Sequence, residues 1–335
     1  MMVKRSQVVE VLERAAPGRA SGVTVAGDGA VGFVLSVDGL DRAAAARLEA
    51  EVERAVRALP GVSGVRAILT AERGAAPAEP VRPIKRIMAV ASGKGGVGKS
   101  TVAANIAVAL AAQGYRVGLL DADIYGPSVP TLLGLEGRAM LENNRLQPMQ
   151  AHGLKALSIG MMTDPGKAVV WRGPMAASAM TQMIDQADWG ELDLLVIDLP
   201  PGTGDIQLTM AQKIKPDGAI VVSTPQDLAL IDARKAISMF SQVDVEVLGL
   251  VENMSVFVCP HCGGRSHIFG ERGAEEEAAR IGVPFLGGIP LHAGIREASD
   301  AGRPPALAGT EQAGAFREIA ARVAQRLNLA ASRAS

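Results

Sequence analysis

The run GKGGVGKS, from Gly93 to Ser100, is built for phosphate chemistry. Gly93, Gly95, Gly96 and Gly98 let the backbone bend tightly and come close to an anion. The free amides of such a loop, with a helix N-terminus behind them, favour negative charge. Lys99 suits the β- and γ-phosphates, and the Ser100 hydroxyl suits Mg2+. Val97 and Thr101 complete the cradle. The loop implies a nucleoside triphosphate with magnesium. Lys94 is a second lysine, five residues before Lys99. Read alone, it is either solvated or set to meet a phosphate held by a partner subunit.

Carboxylates close two later apolar runs. DLLVIDLPPGTGD puts Asp198 just after a buried strand pattern, where it can orient magnesium or its water shell. The PPGTGD turn behind it is placed to respond to the γ-phosphate, and Asp205 reads as a helix cap rather than a catalytic group. VGLLDADIYGPS ends in Asp121 and Asp123. Asp123, just past the strand where motion is easier, is assigned to activating the attacking water, and Asp121 to magnesium's outer sphere.

CPHCGG carries the only two cysteines, Cys259 and Cys262. Two intervening residues let both thiolates face one metal. Redox thiols, a zinc site and an iron–sulfur cluster all remain open on this motif. Zinc would draw further ligands from His261 or His267, although His261 sits inside the turn. A cluster prefers four thiolates, which a two-fold dimer would supply. The flanks ENMSVFV and GGRSHIFG suggest a knuckle rather than the helix N-terminus usual for a redox CxxC.

Apolar segments alternate with helical periodicity from Ile84 onward. Strands are expected in IMAVAS, YRVGLLDAD, LKALSI, DLLVIDLP, GAIVVSTP, VEVLGLVEN and PFLGGIP, and helices over TVAANIAVALAAQG, 175–187, 206–213, 228–240, 273–281 and 311–327. That order means an α/β unit with a mostly parallel sheet covered by helices on both faces. Residues 1–70 read as a small separate α/β unit, with helices over 7–15 and 43–59 and strands over 31–37 and 62–69. The Pro- and Ala-rich stretch 71–83 reads as a linker, which leaves 84–330 as the main domain.

A net charge of −1 gives no electrostatic footprint for nucleic acid. Two cysteines exclude a disulfide framework. The start, MMVKRSQVVEVLERAA, lacks the apolar core and cleavage site of a signal peptide, so a cytoplasmic location is expected. The last helical stretch is amphipathic, and its Phe316, Ile319, Ala320, Val323 and Leu327 are expected to pack on the sheet rather than on a membrane.

Taken together, SGKGGVGKS, DADIYGPS, IDLPPGTGD, VENMS with CPHCG, and IFGERG resemble the Mrp/ApbC family of P-loop ATPases, the iron–sulfur cluster carriers. These are grouped with MinD and nitrogenase iron protein by their variant phosphate loop. The resemblance covers residues 84–327. It implies ATP and Mg2+ at Lys99 and Ser100, and Lys94 as a signature lysine crossing a homodimer interface. It also implies Asp123 as a switch aspartate tied to hydrolysis, and Asp198 as the start of a second switch. Asn253 is similar to a residue that contacts adenine, and the segment around Pro290 to one that closes over the base. Cys259 and Cys262 resemble a pair that shares a [4Fe-4S] cluster with its dimer mates. Residues 1–70 are similar to a small iron–sulfur-assembly domain, carried mostly by AEVERAVRALPGVSGVRAIL, but they contain no cysteine.

The function expected is slow ATP hydrolysis coupled to cluster transfer, with apo-proteins and cluster scaffolds as partners and no stable membrane or nucleic-acid association. The alternatives are a MinD-like positioning switch with zinc at the CxxC, and an electron donor of the nitrogenase iron protein type.

Overall fold

The computed structural model describes residues 3, 5–26, 29–37, 40, 42–70, 84–124, 126–142, 145–161 and 173–330. The chain forms two compact units, Met1–Glu79 and Pro80–Ser335. The expected linker, 71–83, lies outside the described residues.

The first unit runs α1 (Arg5–Ala15), β1 (Ala20–Val25), β2 (Ala30–Ser36), α2 (Arg42–Arg57) and β3 (Gly64–Thr70). Its sheet order is β1-β2-β3, antiparallel and then parallel. Val31, Phe33 and Leu35 alternate inward and meet Val8, Leu12, Val52 and Val56 from the helices. Strand β1 was not expected: ASGVTV is short and glycine-containing, so it carries little strand signal.

The second unit begins with β4 (Ile87–Ala91), α3 (Lys99–Ala112), β5 (Val117–Asp121), α4 (Val129–Leu133), β6 (Met140–Glu142), β7 (Arg145–Gln147), β8 (Met149–Ala151) and β9 (Leu154–Ser158). It continues through α5 (Gly173–Gln186), β10 (Leu194–Asp198), α6 (Asp205–Ile214), β11 (Gly218–Ser223), α7 (Asp227–Gln242) and β12 (Val247–Val258). It ends with β13 (Arg265–Ser266), α8 (Gly273–Ile281), β14 (Phe285–Leu291), α9 (Ala293–Asp300) and α10 (Glu311–Arg326). The main sheet follows β13-β12-β11-β4-β10-β5-β9-β8, and β14 also pairs with β12. Only β8 and β13 join it antiparallel.

Each face of the sheet has its own core. On one face α3 and α10 supply Val102, Ile106, Leu110, Phe316, Ile319 and Val323. On the other, α5, α6 and α7 supply Met180, Met183, Met210, Ala233 and Phe240. The apolar stripe of α10 is therefore buried within the unit, as expected. Full burial of each large side chain is worth about 1.5–3 kcal/mol. No helix among the described residues is long and apolar enough to cross a membrane.

Candidate functional site

The phosphate loop joins β4 to α3, at the carboxyl edge of the sheet where doubly wound folds bind ligands. Gly98 is the residue before α3, with φ 80°, and no side chain caps the helix. The first-turn amides of α3 are thus left to an incoming anion. Gly93 is required by space. A Cβ there would lie 2.1 Å from the Asp232 carbonyl oxygen of α7. The Ser92 hydroxyl donates to the Lys94 carbonyl oxygen at 2.9 Å, tightening the turn. The Lys94 ammonium makes no hydrogen bond or ion pair among the described residues, and the side chain is half-buried.

Lys99 is buried, and its ammonium donates to Asp198 Oδ1 at 2.6 Å and to Ser100 Oγ at 3.2 Å. Asp198 is fully buried, and its Oδ2 has no hydrogen-bond partner. Burial pushes the Asp198 carboxyl above its ordinary range, opposed by Lys99 and Ser100, while Asp123 adds to the rise. An orphaned carboxylate oxygen beside a serine hydroxyl is a pair of oxygen donors that fits Mg2+. Asp198 and Ser100 would hold the ion, which would neutralise phosphate charge when bound.

Asp121 lies in register with Asp198 on the neighbouring strand. Its Oδ1 accepts from the Asp123 amide at 3.1 Å, and its Oδ2 accepts from the Val129 amide and the Ser158 hydroxyl, each at 3.1 Å. Burial, with the charge of Asp198 next, pushes Asp121 up to about 7. Its carboxylate is engaged in shaping the 122–129 loop. Asp123 sits on that loop, nearly buried, and its Oδ1 accepts from the Gly126 amide at 3.2 Å. The second turn is pinned too: Gln207 Nε2 donates to the Pro201 carbonyl oxygen at 2.6 Å, and the Gly202 amide to that of Ser92 at 2.9 Å. Asp205 is not a cap. Gly204 occupies that position in extended backbone, and Asp205 falls in the first helical turn, where its charge suits the helix dipole.

Asn253 lies on β12, and its side-chain amide donates to the Val97 carbonyl oxygen at 2.8 Å. The structure thus gives that amide a partner in the phosphate loop. Register places Ile289 opposite Asn253, so Pro290 follows directly on β14. Pro290 also lines a cavity of about 380 Å3 with Ser255, Gly288 and Arg322. The Thr101 carbonyl oxygen accepts from Asn105 Nδ2 at 2.8 Å, and Asn105 Oδ1 accepts from the Ala306 amide at 2.8 Å. Sequence reasoning missed Asn105. Its signal was a lone amide inside the otherwise apolar TVAANIAVAL.

The same strand runs on to the cysteines. Strand β12 was expected to end near Asn253, but it continues to Val258 and forms a hairpin with β13. Cys259 and Cys262 sit on the hairpin turn, closed by the Cys259 amide on the Gly264 carbonyl oxygen and the Gly263 amide on that of Cys259, both at 2.9 Å. Cys259 is half-buried and Cys262 exposed. The Cys259 thiol is lowered by backbone N–H groups of Cys262 and His261, and this favours the metal-binding thiolate. His267 lies 3.8 Å from Glu271, and no third His, Cys, Asp or Glu among the described residues joins the two thiols in a metal-binding group.

A family model described as ParA: NUBPL iron-transfer P-loop NTPase matches residues 83–324. The chain belongs to this family. Similar proteins include an iron–sulfur cluster carrier protein of Escherichia coli K12, 52% identical over 72% of this chain. The matched region spans 66% of that relative, just under two thirds of its length. A carrier protein of Pseudomonas fragi is 48% identical over 77% of this chain and 92% of its own. An iron–sulfur cluster transfer protein, NUBPL, of Mus musculus is 50% identical over 72% of this chain and 77% of its own. Among solved structures, a nucleotide-binding protein of Archaeoglobus fulgidus in complex with ADP is 45% identical, with TM-score 0.59, covering 66% of this chain and 87% of that one. The cell-division ATPase MinD of Pyrococcus furiosus, 23% identical with TM-score 0.56 over 72% of this chain and 99% of its own, shares the fold. The α/β P-loop architecture expected from the sequence is thereby established.

Proposed function

We propose that this chain is an ATP-dependent iron–sulfur cluster carrier that works as a homodimer. The carrying observation is the placement of two chemistries on one strand: Asn253 touches the phosphate loop, and Cys259 follows at the strand's far end. The cargo is a [4Fe-4S] cluster held by Cys259 and Cys262 with the same pair from a second copy, since one chain offers two thiolates where such clusters prefer four. Leu228 and Ile231 on α7 and Ile268 beside the cysteine turn are exposed apolar side chains, which are in keeping with a partner that covers them. Lys94 reaches the partner's nucleotide, Asp123 positions the attacking water, and Asp121 holds the loop that carries Asp123. The relatives' names as carriers and transfer proteins support the cargo. Acceptors are apo iron–sulfur proteins, and the expected location is the cytoplasm.

Anaerobic reconstitution with iron and sulfide tests this. The expected result is one cubane per two chains, a matching absorption band, loss of both in Cys259→Ala or Cys262→Ala, and passage of the cluster to an apo-acceptor. A cluster that survives removal of either cysteine, or zinc retained to the exclusion of iron, overturns the reading.

A further inference from the structure

Strand β12 contains a break between its two functional ends. Met254, directly after Asn253, has φ 59°, a left-handed conformation that costs a non-glycine residue free energy. The pairing with β14 slips at the same place: Asn253 faces Ile289, and Phe257 faces Leu291. Four steps along β12 thus match two along β14, and the surplus forms a bulge. Ser255 closes it, its hydroxyl donating to the Ile289 carbonyl oxygen at 3.1 Å. Glycine opposite the bulge makes room, because a Cβ on Gly288 would lie 3.1 Å from Ser255 Oγ. Upstream, Glu252 is anchored, its Oε2 accepting from the Ala274 amide of α8 at 2.7 Å. Downstream, β12 pairs with the two residues of β13 and meets β14 at Phe257 and Leu291, and an exposed ion pair joins Arg265 to Glu311 at 3.5 Å.

The upstream end is tied to the loop that takes phosphate. Asn253 Nδ2 bonds Val97 O, and a Cβ on Gly98 would fall 2.2 Å from that nitrogen. A phosphate drawn onto the first-turn amides of α3 acts on Val97 and Gly98, and these residues touch Asn253. We infer that Asn253 is a positioning residue through which the occupied phosphate loop sets the Met254–Ser255 bulge, and that this bulge is the hinge that reorients the Cys259–Cys262 hairpin. A hinge is a few residues beside an anchored segment that absorb a change of backbone angle, and Met254 and Ser255 at the bulge are placed to do so. The inference rests on the proposed carrier function, since it makes the cysteine turn the part that nucleotide moves.

The test reads thiols in the metal-free, full-length chain, so it is independent of whether the cargo is a cluster. The rate of modification of Cys259 and Cys262 by an aromatic disulfide is measured with and without Mg-ATP, alongside nucleotide affinity and sedimentation. The parent is expected to change its rate several-fold on adding Mg-ATP. Met254→Gly, which adopts the left-handed angle freely, and Ser255→Ala, which unties the bulge, are expected to bind nucleotide as the parent does and lose most of that change. Asn253→Ala is expected to lose the change at saturating nucleotide. A parent rate indifferent to Mg-ATP, or variants that keep the full response, overturns the inference. A full response in variants that dimerise normally would assign the effect to dimerisation. Failed cluster reconstitution with an intact thiol response would leave the hinge standing and remove the carrier reading.

Discussion

Replacing Gly93 with alanine should do more damage than any other single methyl in the phosphate loop. The added Cβ would lie 2.1 Å from the carbonyl oxygen, 2.2 Å from the carbonyl carbon and 2.6 Å from the Cβ of Asp232. Ordinary contact needs about 3.5 Å, so loop and helix must part by more than 1 Å. The obstacle is the backbone of a 16-residue helix that packs on the sheet through Ala229, Ala233, Ala236 and Phe240, so it cannot swing aside as a side chain would. Overpacking of this kind costs about 1–3 kcal/mol, and the upper end applies where backbone must move. In a unit of this size that lowers Tm by about 5–10 °C. Gly95→Ala is the control, because its nearest neighbour is Pro201 Cγ at 4.0 Å and the methyl fits. Melting by circular dichroism, with nucleotide binding measured on the same samples, checks the pair. Truncating the neighbour in Gly93→Ala/Asp232→Ala should restore little, since carbonyl and Cβ remain. A Gly93→Ala protein that melts within about 2 °C of the parent, the shift for under 1 kcal/mol, and binds nucleotide normally would refute the steric reasoning.

Two further outcomes are expected. Lys99→Met removes the only cation bonded to the buried Asp198 among the described residues. It should cost about 3–5 kcal/mol in urea unfolding, as breaking a buried pair does, with much of that recovered in Lys99→Met/Asp198→Asn, while neither variant binds nucleotide. The stability of the metal-free protein should fall as pH rises from 5 to 8. Asp121 titrates at about 7 when folded against 3.8 as its ordinary value. Between those values the folded chain holds one more proton, and stability present in acid is lost through neutrality at up to about 1.4 kcal/mol per pH unit. Urea melts in chelator across that range check the sign, and Asp121→Asn should flatten the slope. A parent whose stability rises steadily with pH would contradict it.

The phosphate loop, its two acidic strand ends and the cysteine turn could be read directly, because each is a contiguous run whose chemistry needs fixed spacing. The central strands could be read too: LLVI and AIVV, the body of β10 and β11, are buried on both faces and apolar throughout. What escaped was non-local or short. The contact between Gly93 and Asp232 joins residues that no sequence pattern relates. The two amides and the hydroxyl that Asp121 accepts from also come from three places in the chain that no local pattern joins. The strand through MSVFV was hidden because Asn253 and Met254 interrupt its periodicity, although Phe257 and Val258 resume pairing beyond. The hairpin of β6 and β7 exposes Met140 and Leu141, so the usual alternation of buried and exposed positions gave no guide.

The packing of α10 against α3 has a consequence for how the protein is made. Phe316, Ile319 and Val323 complete the core beneath the helix that begins at Lys99, more than two hundred residues earlier in the chain. A ribosome delivers those side chains more than two hundred residues after Lys99, and contacts so distant in sequence form slowly. During translation α3 therefore waits with its apolar underside uncovered. The nucleotide loop is therefore expected to gain its rigidity only once α10 has been made and has packed beneath α3.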